Sequence, residues 1–200
     1  MEQYVITISR QFGSMGRSIA RELSEILGIE FLDRDIVEAT AKRMGLPVSV
    51  ISDEEESMKS TFFRRQYPLG MGMSSLKDEI FLTQKNIIRD FAAKGSCIIV
   101  GRCADYILRE HPRCANVFIS ASKEDRITRL CAMHHIDAEA AEEMIEKADK
   151  RRSEYYNYYS YKTWGAAATY HLCVDSSSLG IEETVRFVEE FVAKKLQIGM

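Results

Sequence analysis

The chain has 200 residues, of which 46% are hydrophobic, and its formal net charge is −3. This length and composition predict one domain, residues 1–200, with a full hydrophobic core. The slightly acidic charge balance argues against a general binder of nucleic acid or anionic membranes. No N-terminal segment resembles a signal peptide, and no apolar run reaches the length of about 20 residues that crosses a bilayer. Five irregularly spaced cysteines without a Cys-x-x-Cys pair fit reduced thiols, so we expect a cytoplasmic protein.

The most informative segment is a glycine-containing loop between a predicted strand at residues 5–9 and a predicted helix at 17–27. A strand that delivers backbone N–H groups to a helix N-terminus forms a phosphate site. Gly16-Arg17-Ser18 fills the last three positions of the P-loop pattern G-x-x-x-x-G-K-[ST], with Arg for Lys, and Gln11 replaces the first Gly. The alternative is a tight turn with a solvated Arg17 and Ser18 as helix cap.

The rest of the chain alternates between short apolar runs and amphipathic segments. Strands are predicted at residues 5–9, 29–32, 97–100, 117–120 and 171–175. Helices are predicted at residues 17–27, 36–44, 77–94 and 181–196, and in charged segments from residue 123 onward. This alternation implies a parallel sheet with helices on both faces, whose ligands bind beyond the carboxyl ends of the strands. Residues 46–76, which contain Pro47, an acidic run and several glycines, predict a mobile insertion or lid instead.

Polar side chains after the strands have the chemistry that phosphoryl transfer needs, namely positioned cations and a Mg²⁺ site. Arg17 supplies a permanent positive charge, and Ser18 supplies a hydroxyl ligand for Mg²⁺. Asp33 and Asp35 lie on one side of the chain, close enough to hold a hydrated Mg²⁺ and a substrate hydroxyl. Asp33 can equally be a helix N-cap beside a solvated Asp35. Arg102 is either a phosphate contact or a surface residue at a helix start.

The densest group of cations lies at residues 147–152, where Asp149 and Arg152 share a helical face. This group is either a solvated face or part of a lid whose arginines close over the phosphates. Five tyrosines follow at residues 155–161, with Trp164 after them. They fit three interpretations, which are a base-stacking surface, a helix packing seam and the contact surface of a homodimer.

Together these segments resemble the cytidylate kinase-like family of P-loop nucleoside monophosphate kinases, over nearly the whole chain. Residues 6–20 are similar to the opening of that family, and residues 31–35 to the Leu-Asp segment after its second strand. Val100-Gly101-Arg102 resembles the Gly-Arg-Asp of cytidylate kinases, with Cys103 in place of Asp. Residues 149–152 match the Asp-x-x-Arg of the lid and CMP site, and residues 155–165 are similar to the kinase-like branch.

The resemblance implies a three-layer α/β P-loop kinase fold, with an acceptor-binding insertion at 46–76 and a helical lid at 123–165. It implies ATP and Mg²⁺ as cofactors and a nucleoside monophosphate such as CMP or dCMP as acceptor. The residues expected at the donor phosphates are Gln11, Phe12, Gly13, Ser14, Met15, Gly16, Arg17 and Ser18. Mg²⁺ is expected at Ser18 and Asp33, the acceptor at Asp35, Arg102 and Asp149, and the transferring phosphoryl group at Arg17, Arg151 and Arg152.

Three other functions remain open from the sequence. Asp33-x-Asp35 also resembles the substrate grip of shikimate kinase, which would make the acceptor a small hydroxylated metabolite. A nucleotide-binding regulatory module with a degenerate P-loop would bind ATP without turnover. A structural domain would bind no nucleotide at all.

Overall fold

The computed structural model describes residues 3–56 and 73–198, in which strands and helices alternate. The strands are β1 (Val5–Arg10), β2 (Glu30–Leu32), β3 (Cys97–Val100), β4 (Cys114–Ser120) and β5 (Leu172–Asp175). The helices are α1 (Gly16–Leu27), α2 (Arg34–Met44), α3 (Val48–Glu56), α4 (Met73–Lys94), α5 (Ala104–Ile107), α6 (Lys123–His134), α7 (Ala138–Ser160) and α8 (Ser176–Leu196). A 3-10 turn, Ala167–Thr169, precedes β5.

The strands form one parallel sheet in the order β2-β3-β1-β4-β5. The central strand β1 pairs with β3 as far as Ile8–Val100 and with β4 as far as Arg10–Ile119. Because every strand runs in the same direction, all the carboxyl ends meet at one edge of the sheet, where ligands of such folds bind. The predicted α/β fold with a five-stranded parallel sheet is confirmed.

Two apolar cores hold the helices against opposite faces of the sheet. On one face, Ile8 of β1 belongs to a buried cluster with Leu23 of α1 and Val188 of α8. On the other face, Ile99 of β3 belongs to a buried cluster with Ile88 of α4. Each fully buried aliphatic side chain contributes about 1.5–3 kcal/mol. The sheet is therefore a rigid platform, and its carboxyl edge positions the loops that follow β1, β2 and β3.

Helix α3 lies in the segment that was expected to be a mobile insertion, where no helix was predicted. The N–H of Ile51 reaches the Pro47 carbonyl at 3.4 Å, within the first turn of the helix. Ile51 is fully buried in a small separate core with Val37 and Ile80. These contacts come from residues distant in sequence, so the local acidic run does not reveal them. Helix α4 also begins inside the predicted insertion, and residues 57–72 lie outside the described residues.

Two further elements differ from the predicted ones. Helix α5 has only four residues, too few for a periodic pattern to predict it. Helix α8 begins at Ser176 rather than at residue 181, because Asp175 caps it by accepting a hydrogen bond of 2.8 Å from the Ser177 N–H. It then kinks at Gly180, whose φ is 75°.

Tyrosines fix the C-terminal half of α7 to α4 and α5. The Tyr159 ring stacks on Phe81 with 3.9 Å between the ring centroids. The Tyr156 hydroxyl donates a hydrogen bond of 2.5 Å to Asp105 Oδ2, and both residues are buried. Of the three interpretations of the tyrosines, these contacts match the helix packing seam. A homodimer contact stays a prediction.

We expect Tyr156→Phe to lower the free energy of unfolding by about 1–3 kcal/mol, because the buried Asp105 carboxyl loses its donor. Asp105 is buried, which raises the pKa of its carboxyl and also keeps out the water that could replace the lost hydrogen bond. Urea unfolding at pH 7 measures the effect. Tyr161→Phe is the control, since the Tyr161 side chain is 89% exposed. Equal small losses in both variants would contradict the prediction.

Candidate active site

The loop between β1 and α1 is braced by Gln11. The Gln11 N–H donates to the Ile119 carbonyl at 3.0 Å, and Gln11 Oε1 accepts from the Ala121 N–H at 3.1 Å. The Ser14 hydroxyl donates to the Gln11 carbonyl at 2.9 Å, and Ser14 is fully buried. Gln11 and Ser14, two residues predicted at the donor phosphates, therefore use their side chains to shape the loop on β4.

Helix α1 begins without a side-chain cap. Its N-cap residue Met15 lies in the left-handed region, with φ of 61°, and no side chain bonds to the first turn. Within the described residues, no hydrogen bond uses the N–H groups of Met15, Gly16, Arg17 or Ser18. Unsatisfied N–H groups at the positive end of a helix dipole form a ready site for an anion. These four N–H groups are the part of the loop best suited to phosphate.

Side chains from α6 and α7 cover the first half of the loop. The Phe12 N–H donates to Asp149 Oδ1 at 2.7 Å. Arg126 forms an ion pair of 2.6 Å with Asp149 Oδ2, and its Nη1 also donates to the Phe12 carbonyl at 3.3 Å. A Cβ on Gly13 would lie 3.2 Å from Arg126 Cβ. Asp149, predicted to orient the acceptor, thus contacts the loop itself, and the Phe12 N–H is already used.

Arginine and serine side chains also hold the loop carbonyls. Arg129 Nη1 donates to the Gly13 carbonyl at 3.4 Å and to Ser176 Oγ at 3.3 Å. The Ser176 hydroxyl donates in turn to the Ser14 carbonyl at 2.8 Å. The loop conformation is therefore fixed by α6 and α8 as well as by the sheet.

The predicted metal residues lie at the opposite end of the loop. Arg17 Nε is 2.5 Å from Asp33 Oδ2, and the Asp33 side chain is buried whereas Ser18 is exposed. Asp35 is exposed at the start of α2, with Oδ2 3.5 Å from the Asp33 N–H. The described part of the chain contains no cluster of three or more His, Cys, Asp or Glu. Mg²⁺ at phosphates needs only one or two protein carboxylates, so the chemistry of the Asp33 carboxylate and the Ser18 hydroxyl fits it.

A cleft of about 240 Å³ opens beside the loop at the carboxyl edge of β1 and β3. Its lining consists of four arginines, two aromatic residues and two aliphatic residues: Arg10, Arg102, Arg151, Arg152, Phe12, Tyr155, Val100 and Ala148. Arg152 lies with its guanidinium carbon 5.4 Å from the centre of the Phe12 ring. The structure therefore brings together three arginines predicted from two separate segments, and no carboxylate lines the cleft within the described residues.

Arg10 lines the cleft, although the sequence pattern did not mark it as a site residue. Burial and the adjacent charge of Arg152 lower the pKa of the Arg10 guanidinium to about 9, so it stays charged at pH 7. Its position as the last residue of the central strand was the available signal, because such residues face the ligand edge of a parallel sheet. Four guanidinium groups therefore line one cleft in a protein whose net charge is negative, and one of them, that of Arg152, also lies 3.8 Å from Asp149 Oδ1.

Comparison with known proteins places the chain in a family. The family model of the cytidylate kinase-like family matches residues 5–178. The chain belongs to the cytidylate kinase-like family. No protein of curated function matches the sequence. The matched residues include the loop, the cleft and α7. The resemblance to this family that the sequence showed is therefore confirmed.

Several solved structures that are similar to this chain share its fold. An uncharacterized protein from Eubacterium ventriosum is 26% identical, with 95% of this chain and 98% of that chain covered and a TM-score of 0.73. A gluconokinase from Sinorhizobium meliloti is 15% identical, with 98% and 94% covered and a TM-score of 0.58. A shikimate kinase from Bacteroides thetaiotaomicron is 13% identical, with 96% and 99% covered and a TM-score of 0.56. Among the helices that the structure describes, none combines the length and hydrophobicity needed to cross a membrane.

Proposed function

We propose that the protein transfers the γ-phosphoryl group of Mg-ATP to a nucleoside monophosphate, with CMP or dCMP as the preferred acceptor. The observation that carries this proposal is the four-arginine cleft next to a helix N-terminus with unused N–H groups. Phosphoryl transfer between two nucleotides needs positive charge on both sides of the transferred group, and catalysis is mostly positioning and electrostatics. Family membership supports the phosphotransferase chemistry.

In this proposal the donor binds at the loop. The N–H groups from Met15 to Ser18 hold the β- and γ-phosphates, and Arg17 turns from Asp33 toward them. Support comes from the exposure of the Arg17 side chain, which is 52%, so that it can reorient at little cost. Gln11, Phe12, Gly13 and Ser14 contribute by fixing the loop rather than by contacting the phosphates with their side chains.

Ser18 and Asp33 would hold Mg²⁺, whose charge, when the ion is bound, neutralises the phosphate oxygens. In this proposal Arg17 leaves Asp33, and the freed carboxylate becomes available to the metal, directly or through water. The same movement would bring the Arg17 charge onto the phosphates. One side-chain rotation thus prepares both the cation and the carboxylate.

The acceptor is proposed to lie in the arginine cleft. Arg102 orients the acceptor from the β3 side, and Arg151 and Arg152 from α7 stabilise the charge that develops on the transferring group. Asp35 at the start of α2 and Asp149 beside the loop are proposed to position the rest of the acceptor. The attacking atom is a phosphate oxygen that is already ionised at pH 7, so no general base is required.

The second candidate is a kinase of a small hydroxylated metabolite that carries a carboxylate. Arginines bind carboxylates as well as phosphates, which keeps this class open. Four guanidinium groups around one cleft favour a dianionic phosphate over a single carboxylate. A non-catalytic nucleotide-binding module is the third candidate, and the Asp149 carboxylate on the Phe12 N–H is the observation in its favour.

A coupled assay of ADP release tests these candidates. We expect ADP formation from ATP with CMP or dCMP, less with UMP, and none above background with shikimate or gluconate. Removal of Mg²⁺ by EDTA should lower the rate by about two orders of magnitude or more. Turnover with a metabolite alone would favour the second candidate. Thermal stabilisation by ATP without ADP formation from any acceptor would favour the third.

A further inference from the structure

The side chain of Arg10 runs past two glycines on its way into the cleft. A Cβ on Gly16 would lie 2.6 Å from Arg10 Cβ, and a Cβ on Gly101 would overlap Arg10 Nη1. Gly101 also has φ of 74°, a region that favours glycine. Both positions therefore leave room for one side chain, that of Arg10. The backbone is held as well, because Arg152 Nη1 donates to the Arg10 carbonyl at 3.2 Å.

The surroundings of the Arg10 guanidinium are dominated by like charge. Within residues 3–56 and 73–198, no ion pair or hydrogen bond uses this guanidinium. Burial lowers its pKa most, and Arg152, Arg102 and Arg17 lower the pKa further. Asp33 raises the pKa of Arg10, but the Asp33 carboxylate is paired with Arg17. Such a cation has poor compensation in the protein alone, so a bound anion gains free energy there.

We propose that Arg10 anchors the acceptor through its phosphate group, a phosphate monoester dianion, and that Gly101 keeps the path of its side chain open. The inference rests on the proposed function and names the group through which that acceptor is recognised. A guanidinium presents paired N–H donors that match two phosphate oxygens, which a lysine in the same place could not do.

The direction of the side chain favours the acceptor over the donor. In the sheet, β3 lies on the opposite side of β1 from β4. The groups that hold the loop come from β4 and from α6 to α8, whereas the Arg10 guanidinium lies against Gly101 at the end of β3. The Arg10 side chain therefore extends away from the loop, toward the side of the cleft that Arg102 lines.

Binding of a nucleotide and its nucleoside separates this role from a structural one. Isothermal titration of the ATP-free full chain compares CMP with cytidine, which differs only by the phosphate. We expect Arg10→Met, which keeps the unbranched stem, to weaken CMP binding by about 10- to 100-fold. Cytidine binding should stay within about twofold, because the variant removes only the charge that meets the phosphate. A merely structural Arg10 would weaken both ligands equally.

Gly101→Ala is the second variant, because it displaces the guanidinium while every charge remains. Gly101→Ala should weaken CMP binding by about tenfold. It also tests the proposal by itself if Arg10→Met does not fold. Arg109→Met is the control, since Arg109 lies outside the cleft beside Glu110. Its affinity for CMP should not change.

The outcomes distinguish this inference from the proposed function. CMP affinity that is unchanged in both cleft variants overturns the role of Arg10, even if the wild type phosphorylates CMP. Selective loss of CMP binding in a protein that phosphorylates no monophosphate supports Arg10 and overturns the proposed function. Failure of the wild type to bind CMP, UMP or AMP overturns both.

Discussion

Replacement of Arg17 by alanine is expected to reduce kcat for CMP phosphorylation by about 10²- to 10³-fold. The guanidinium is proposed to neutralise the donor phosphates as charge develops during the transfer. The Arg17 side chain is 52% exposed but that of Asp33 only 9%, so loss of their ion pair is expected to cost about 1–2 kcal/mol of stability. The melting temperature should therefore fall by no more than about 8 °C.

The control for this prediction is an exposed arginine that also forms an ion pair, away from the site. Arg186 on α8 pairs with Glu183 at 2.6 Å, and its side chain is 66% exposed. Arg186→Ala should leave kcat unchanged. Turnover of Arg17→Ala within about threefold of the wild type would remove Arg17 from the mechanism, and a large fall in melting temperature would assign it a structural role instead.

The sheet could be predicted because each strand is a short apolar run that ends at a polar residue or a glycine. This pattern is local, so it identified all five strands and the edge at which Arg17, Asp33 and Arg102 lie. It could not identify α3, whose stability comes from Ile51 meeting Val37 and Ile80. Contacts between distant residues decide that helix, and no short window of sequence contains them.

The candidate site could be predicted only in part, for the same reason. The individual arginines followed from their positions after strands and on a helix, and the cleft indeed contains three of them. The contact of Asp149 with the Phe12 N–H joins residues 137 positions apart, which spacing cannot reveal. The hydrogen bond between Tyr156 and Asp105 also joins residues that are distant in sequence. Like the contact of Asp149, it fixes the position of α7.

These long-range contacts divide α7 into two functional halves. Its C-terminal half packs on α4 through tyrosines, and Asp149 at its middle contacts the loop. Arg151 and Arg152, the two cleft arginines on α7, lie between the two anchors. Their position therefore depends on the tyrosine seam at one end and on the ion pair with Arg126 at the other, and the second anchor can be tested by itself.

Asp149→Ala is expected to lower the free energy of unfolding by about 3–5 kcal/mol. Arg126 is 8% exposed, and its Nε has no hydrogen-bond partner in the described part of the chain, so Asp149 supplies its main compensation. Loss of the carboxylate also leaves the Phe12 N–H without an acceptor. Such a loss is a large fraction of the stability of an ordinary domain. Urea unfolding without nucleotide measures it.

A double-mutant cycle shows whether the uncompensated charge is the cause. The double variant Arg126→Met with Asp149→Leu removes both charges and keeps apolar volume, so it should lower the free energy of unfolding by less than Asp149→Ala does. The coupling energy between the two positions should be about 2 kcal/mol or more. The exposed pair Arg43–Asp90, whose atoms are 3.0 Å apart, is the control. Its coupling should be below about 1 kcal/mol, because water screens it. Equal coupling energies in the two pairs would mean that burial does not strengthen the Arg126–Asp149 pair. Packing alone would then hold α7 on the loop.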